Sequence, residues 1–202
     1  MAKAFNEREK KIIEETLVEK GREYFGNFGL KKTSIKDLTS AANIAQGTFY
    51  KFFGSKEELY FEILEREEEK IKEELLTKYL ASGEITYPIM KEFLMRGLEI
   101  IESNSLLQRL YFDGEYELLL RKLPREKIKN HIQNDSDLLS PLVEGWQKEG
   151  IMIEKDPKVI SGVIRSLFLI TLHKKEIGEE VYDDTLELMV DLVARGLIKK
   201  GE

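Results

Sequence analysis

The sequence predicts an all-α protein, and three observations carry that prediction. Apolar residues recur at steps of three and four along nearly the whole chain. No useful length alternates apolar with polar residues as a strand would. Residues that start or stop helices, such as Gly29, Asn43, Gly54, Gly150 and Asp156-Pro157, punctuate the apolar stripes. Neither a fixed-period repeat nor a low-complexity tract breaks the pattern.

The elements follow in order. Glu9–Phe28 reads as a first helix, with Ile13, Leu17, Gly21, Tyr24 and Phe28 on one stripe and Gly29 as a left-handed stop. Ser34, with Asp37 three residues on, opens a second helix whose stripe is Ile35, Leu38 and Ala42. Asn43 ends it, because Asn tolerates the left-handed region. A third helix spans Gln46–Phe53, and Gly54 breaks it. Ser55-Lys56-Glu57-Glu58 is a full capping box that launches a long fourth helix to about Leu80. Within that helix, Glu65–Glu74 is charged enough to read as a solvated connector between two cores. Pro88 opens a fifth helix with Ile89, Phe93, Gly97 and Ile100, and Leu106–Phe112 is a shorter one. Glu126–Lys148 is broken by Asn134-Asp135-Ser136 and Pro141. Asp156-Pro157 starts a helix to about Lys174, and Tyr182–Lys199 is the last.

Composition narrows the function. The 202 residues are enough for one large domain or two small ones, and 42% hydrophobic content suits packed cores. Without cysteine there is no disulfide framework, thiolate nucleophile or cysteine zinc site. Of the two histidines, His131 has Ile128 three residues before it and His173 has Ile170, so neither completes a Glu-x-x-His metal motif. Gly-x-Ser-x-Gly and Gly-x-Gly-x-x-Gly are also missing. The expectation is a protein that is not an enzyme and uses no metal and no cofactor. The N-terminal residues form no signal-peptide core, and no apolar run is long enough to span a membrane, which predicts a cytoplasmic chain with no membrane partner.

The net charge of −6 hides an asymmetry. Residues 1–56 hold 11 basic and 7 acidic side chains, net +4, while the remainder holds 21 and 31, net −10. A basic head on an acidic body suggests two jobs.

The head contains the informative motif. Helix, Asn43-Ile44-Ala45 turn and helix have the lengths of a helix-turn-helix, whose second helix enters the major groove. At about 100° per residue, Phe49, Phe52 and Phe53 share one arc and form the buried face. Gln46, Gly47, Tyr50 and Lys51 fall on the other side. Tyr50 and Lys51 can reach phosphates, and Gln46 a base edge or a phosphate. Free N–H groups at the start of the fourth helix, beside Lys56, form a second phosphate site, and Thr33 offers the same at the second helix.

Thr33-Ser34-Ile35-Lys36-Asp37-Leu38, followed by Gln46-Gly47-Thr48-Phe49-Tyr50-Lys51-Phe52-Phe53-Gly54-Ser55-Lys56-Glu57-Glu58-Leu59, resembles the DNA-binding domain of the TetR family of transcriptional repressors. The resemblance covers roughly residues 9–64. It implies an N-terminal three-helix helix-turn-helix domain joined by a long helix to a helical-bundle domain that binds a ligand and dimerises. The corresponding division is 1–56 and 57–202, with 55–80 connecting. It further implies DNA contacts at Thr33, Gln46, Gly47, Thr48, Tyr50, Lys51 and Lys56. Ala45 departs from the family pattern, standing where a capping Ser is usual, and Phe52 where His or Tyr is frequent.

The body offers weaker signals. Phe93, Tyr111, Phe112, Tyr116, Trp146 and Phe168 lie on several helices and are candidates to line a pocket between them. Arg96, Arg109 and Arg165 sit beside apolar stretches, where pairing with carboxylates is the simplest role. The last two helices carry more apolar surface than one internal contact needs. Val163, Leu167 and Thr171 on one, and Leu186, Met189, Val190, Val193 and Leu197 on the other, are the candidate dimer interface, with Leu188 and Leu192 beside them. The expected function is a homodimeric, ligand-responsive repressor of a double-stranded DNA operator, released by a small-molecule effector. The alternatives are a helical small-molecule carrier or enzyme without DNA binding, or a protein adaptor.

Overall fold

A computed structural model describes residues 5–80, 85–112, 114–129 and 139–199. The chain forms two compact units. The first is Met1–Glu69 with Asn104–Leu123, and the second is Lys70–Ser103 with Pro124–Glu202. The cut at Glu69–Lys70 falls inside the charged run that reads as a connector. The return of residues 104–123 to the first unit was not expected: the 1–56 head is only part of that compact body.

In the first unit, α1 (Glu7–Lys32) begins at Asn6, whose side chain accepts from the Glu9 N–H at 2.8 Å while Glu9 accepts from the Asn6 N–H at 2.8 Å. Its buried stripe runs Leu17, Gly21, Phe25. Phe28, expected on that stripe, is 53% exposed and contacts Tyr24 instead, because successive steps of four carry the inward face to Phe25. Gly21 lets α1 close on α4 (Lys56–Leu75): a Cβ there would stand 2.6 Å from Ile63 Cδ1 and 3.2 Å from Leu59. Phe25 meets the buried Tyr60 ring edge-on at 5.0 Å. Gly29 takes φ 78°, ψ 168°, and breaks the helix before its last turn. α2 (Ile35–Ala41) and α3 (Gln46–Phe49) follow. α6 (Ser105–Phe112) packs on α1, and α7 (Glu115–Lys122) returns beside it. The sequence reading placed no helix at α7. Asn104 caps α6 by accepting from the Leu106 and Leu107 N–H groups, and it donates to Glu67 at 3.3 Å.

In the second unit, α4 ends in a wider turn, Leu76–Leu80. α5 (Tyr87–Ser103), α8 (Leu139–Lys148), α9 (Pro157–Ile170) and α10 (Tyr182–Leu197) surround one core, which includes Phe93, Leu98, Trp146, Ile164, Leu167 and Val190. Asp156 and Pro157 start α9 as expected, with Asp156 accepting from the Lys158 N–H at 2.8 Å. Gly150 reverses the chain at φ 75°. Among the described residues the sole β pairing is an isolated bridge between Met152 and Ile198.

The apolar faces of α9 and α10 differ from expectation. Leu167, Thr171, Leu186, Val190 and Leu197 are buried inside the unit, and Met189 and Val193 are half-buried. Of the candidate interface residues only Val163 is exposed, together with Val159 on α9 and Leu188 and Leu192 on α10. Both helices are apolar on two sides, so periodicity alone does not say which side the core takes.

Candidate nucleic-acid interface

The interface begins with two helix starts. Ser34 Oγ accepts from the Asp37 N–H at 3.2 Å, and the Asp37 carboxylate accepts from the Ser34 N–H at 2.9 Å and its hydroxyl at 2.6 Å. Those donors hold the Asp37 carboxyl below its usual range. Leu38 and Thr39 are buried beneath this first helix of the motif. Asn43 takes φ 53°, as its side chain permits, and turns the chain toward α3.

α3 is shorter than expected. Its α-helical part stops at Phe49. The next residues continue as tighter turns, with the Lys51 N–H bonded to Thr48 O at 3.1 Å and the Phe52 N–H to Phe49 O at 2.9 Å. Ala45 supplies no side-chain cap, which accounts for a weak start. Phe49 and Phe53 are buried, and Phe52 only half so. Each fully buried Phe contributes about 1.5–3 kcal/mol, so two rings anchor a very short element. That anchoring leaves Gln46, Gly47, Tyr50 and Lys51 exposed, with Thr48 half-buried. The Lys51 ammonium stands 5.4 Å from the Phe5 ring centre.

An open recess of about 460 Å³ joins these parts. Ser34, Ile35 and Lys36 of the α2 start line it, with Gln46 and Tyr50 of α3 and Gly54–Glu57 at the α4 start. Lys36 was missed as a candidate. Its signal was available: a cation in the first turn of the helix that precedes the reading helix.

Two of the expected contact residues are engaged within the fold. Thr33 is buried, and its hydroxyl donates to Gly29 O at 2.8 Å and Tyr24 O at 3.3 Å. That hydroxyl is spent on the end of α1. Lys56 Nζ donates to Leu30 O at 2.6 Å and Thr33 O at 2.7 Å. Those carbonyls stand at the end of α1, where no helical N–H follows to bond them, and the ammonium takes them. The α4 start is otherwise capped as expected on one side: Ser55 Oγ accepts from the Glu58 N–H at 3.1 Å, but Glu58 reaches back to Gly54, not Ser55.

Residues 17–63 match the family model described as "Bacterial regulatory proteins, tetR family", a span running from the middle of α1 into α4. Over that span the chain is similar to the TetR family. It is a DNA-binding transcriptional regulator of the helix-turn-helix type. It is 28% identical to the Escherichia coli (strain K12) protein named "Probable acrEF/envCD operon repressor", over 75% of this chain and 70% of that protein. Its fold is similar to a TetR-family regulator of Pectobacterium atrosepticum, with TM-score 0.73 and 21% identity over 98% of this chain and all of that one. SmeT, the repressor of the SmeDEF multidrug efflux pump of Stenotrophomonas maltophilia, is similar at TM-score 0.65 and 19% identity, over 93% and 91% of the two chains. SmeT has also been solved as a complex with triclosan.

In the body the candidates divide. Phe93 and Trp146 are buried in the second unit, and Phe168 packs against the same core, its ring 2.7 Å from where a Cβ of Gly97 would stand. Tyr116 is exposed on α7, in the first unit. The side chains of Tyr111 and Phe112 lie outside the described residues, as does His131. His173 is an exposed residue 3.9 Å from Glu176. Arg96 pairs with Glu74 and Glu99, as its surroundings suggest. Arg109 donates to backbone, reaching Gly26 O at 2.9 Å and Asn27 O at 2.7 Å. Among the described residues no helix is long and apolar enough to cross a membrane, and no cluster of metal-ligating side chains occurs.

Proposed function

We propose that the protein acts as a homodimeric repressor that leaves its operator when a small molecule binds in its helical body. The observation that carries the reading is the exposed polar face of Gln46, Gly47, Tyr50 and Lys51, held by the buried Phe49 and Phe53 next to the recess. Gln46 reads base edges, and Thr48 and Tyr50 fix the register on phosphate and sugar oxygens. Lys36 and Lys51 supply the charge that phosphates attract. The DNA-reading function is assigned to residues 1–56, and the acidic remainder to the effector and the dimer.

Val159, Val163, Leu188 and Leu192 form the dimer contact, since these apolar side chains of α9 and α10 are left exposed. Two reading helices then serve two half-sites about one helical turn apart. The effector pocket draws on Phe93, Trp146 and Phe168. The effector must bind one conformation better than the other to release DNA. The solved complex of SmeT with triclosan supports a small aromatic molecule as the first effector class to try.

The test is selection of genomic fragments by the purified protein, repeated over a range of salt. The expected result is enrichment of a near-palindromic sequence whose affinity falls steeply with salt. Recovery of random fragments, or of none, contradicts the proposal.

A further inference from the structure

The break in α1 exposes a helical hydrogen bond that is satisfied from elsewhere. In an unbroken helix the Leu30 N–H would bond to Gly26 O. With Gly29 at φ 78° that pair is split. The Leu30 N–H donates instead to Glu115 Oε1 at 2.7 Å, in a buried contact. Gly26 O accepts from Arg109 Nε at 2.9 Å. Thus one acidic and one basic side chain from α6 and α7 take the two poles of the split bond. The fit is close: a Cβ at Gly29 would lie 2.6 Å from Glu115 Oε1 and 3.3 Å from Arg109 Nη1.

The stapled segment leads straight into the reading motif. Leu30 O and Thr33 O accept from Lys56 at the start of α4, and Ser34 caps α2. Both Ser34 and Lys56 line the recess. Glu115 itself is only 4% exposed, and its Oε2 has no hydrogen-bond partner among the described residues. Burying a carboxylate with one oxygen unpaired costs free energy. A contribution to stability alone therefore explains this residue poorly, and fixing one geometry explains it better.

We infer that Glu115, assisted by Arg109, is a positioning residue for sequence reading: it holds the Gly29–Leu30 break and so sets where α2 and α3 meet DNA. This rests on the DNA-reading function proposed above. The test compares wild type, Glu115→Ala, Glu115→Gln and Arg109→Met. Each is titrated with the operator obtained by fragment selection and with a scrambled duplex of equal length, at one salt concentration, alongside thermal unfolding.

A purely structural residue would alter both affinities together, through the folded fraction. The positioning role predicts that Glu115→Ala and Arg109→Met lower the operator-to-scrambled ratio at least tenfold at a temperature where the chain is folded. Glu115→Gln keeps an acceptor for Leu30 and stays within threefold of wild type. If Glu115→Ala does not fold, Arg109→Met decides. An unchanged ratio in the folded variants overturns the inference and leaves the DNA-reading function standing. A wild-type chain with no preference for any sequence overturns both.

Discussion

Lys56 and Lys51 look alike in sequence, each a cation of the basic head, and the fold gives them different tasks. Lys56 crosslinks two freed carbonyls, whereas the Lys51 side chain is exposed beside Phe5. A hydrogen bond to a charged group contributes about 1.5–3 kcal/mol. Lys56→Ala is therefore expected to destabilise the first unit by about 1–3 kcal/mol in chemical unfolding. Lys51→Ala leaves unfolding unchanged and lowers the salt slope of operator binding by about one unit. Ala45 makes a complementary case. It occupies the cap of α3 with no side-chain acceptor, so Ala45→Ser is expected to raise stability by about 0.5–2 kcal/mol. A lowered melting temperature in that variant would mean the cap geometry differs from the one described.

At the scale of the element, α5 and α10 are clamped by a charged cluster. Tyr87 donates to Asp191, Arg195 bonds both, and the Arg195 guanidinium lies 4.3 Å from the Tyr87 ring centre. Bonds from Arg195 and Tyr87 hold the Asp191 carboxyl down at about 2, from an ordinary value near 3.8. Because the folded value is depressed, the clamp's contribution is present above pH about 4 and is lost as pH falls toward 2. Asp191→Asn should flatten that part of the acid-unfolding curve, measured by circular dichroism, while lowering stability at pH 7.

The same scale shows what could be read from sequence. Helices with strong local signals were legible: the Ser34 cap, the left-handed turn at Asn43, Asp156-Pro157 at α9. So was the exposed face of α3, since two buried rings on one arc force Gln46, Tyr50 and Lys51 outward. Less legible was anything set by distant residues. Thr33 and Lys56 turn inward because the end of α1 leaves carbonyls to satisfy. Glu115 is buried 85 positions from its partner Leu30, and no local pattern announces such a pair. α9 and α10 are apolar on two sides, so five of the eight expected interface residues lie in the core.

At the scale of the molecule, the chain passes between its two units at Glu69–Lys70, Ser103–Asn104 and Leu123–Pro124. The unit that holds the helix-turn-helix therefore includes a pair of helices drawn from the middle of the sequence. The charge split gains a physical sense from this. The +4 head carries the exposed cations of the reading motif, and the acidic remainder repels stray duplex, so non-specific affinity should be low and salt-sensitive. The exposed apolar face on α9 and α10 predicts the assembly. Leu188→Glu combined with Leu192→Glu should give a monomer by sedimentation, with operator affinity reduced at least tenfold, because paired half-sites then bind singly. A dimer that survives both changes places the contact elsewhere.

Sequence reading is proposed for the α3 face. It is tested most directly by one binding ratio: affinity for the selected operator over affinity for a scrambled duplex, in wild type and in the triple variant Gln46→Ala, Tyr50→Ala, Lys51→Ala. The wild type is predicted to prefer the operator by about 10³-fold or more, and the triple variant to lose nearly all of that preference with its thermal unfolding unchanged. A triple variant that folds and still prefers the operator as strongly as wild type would contradict the claim.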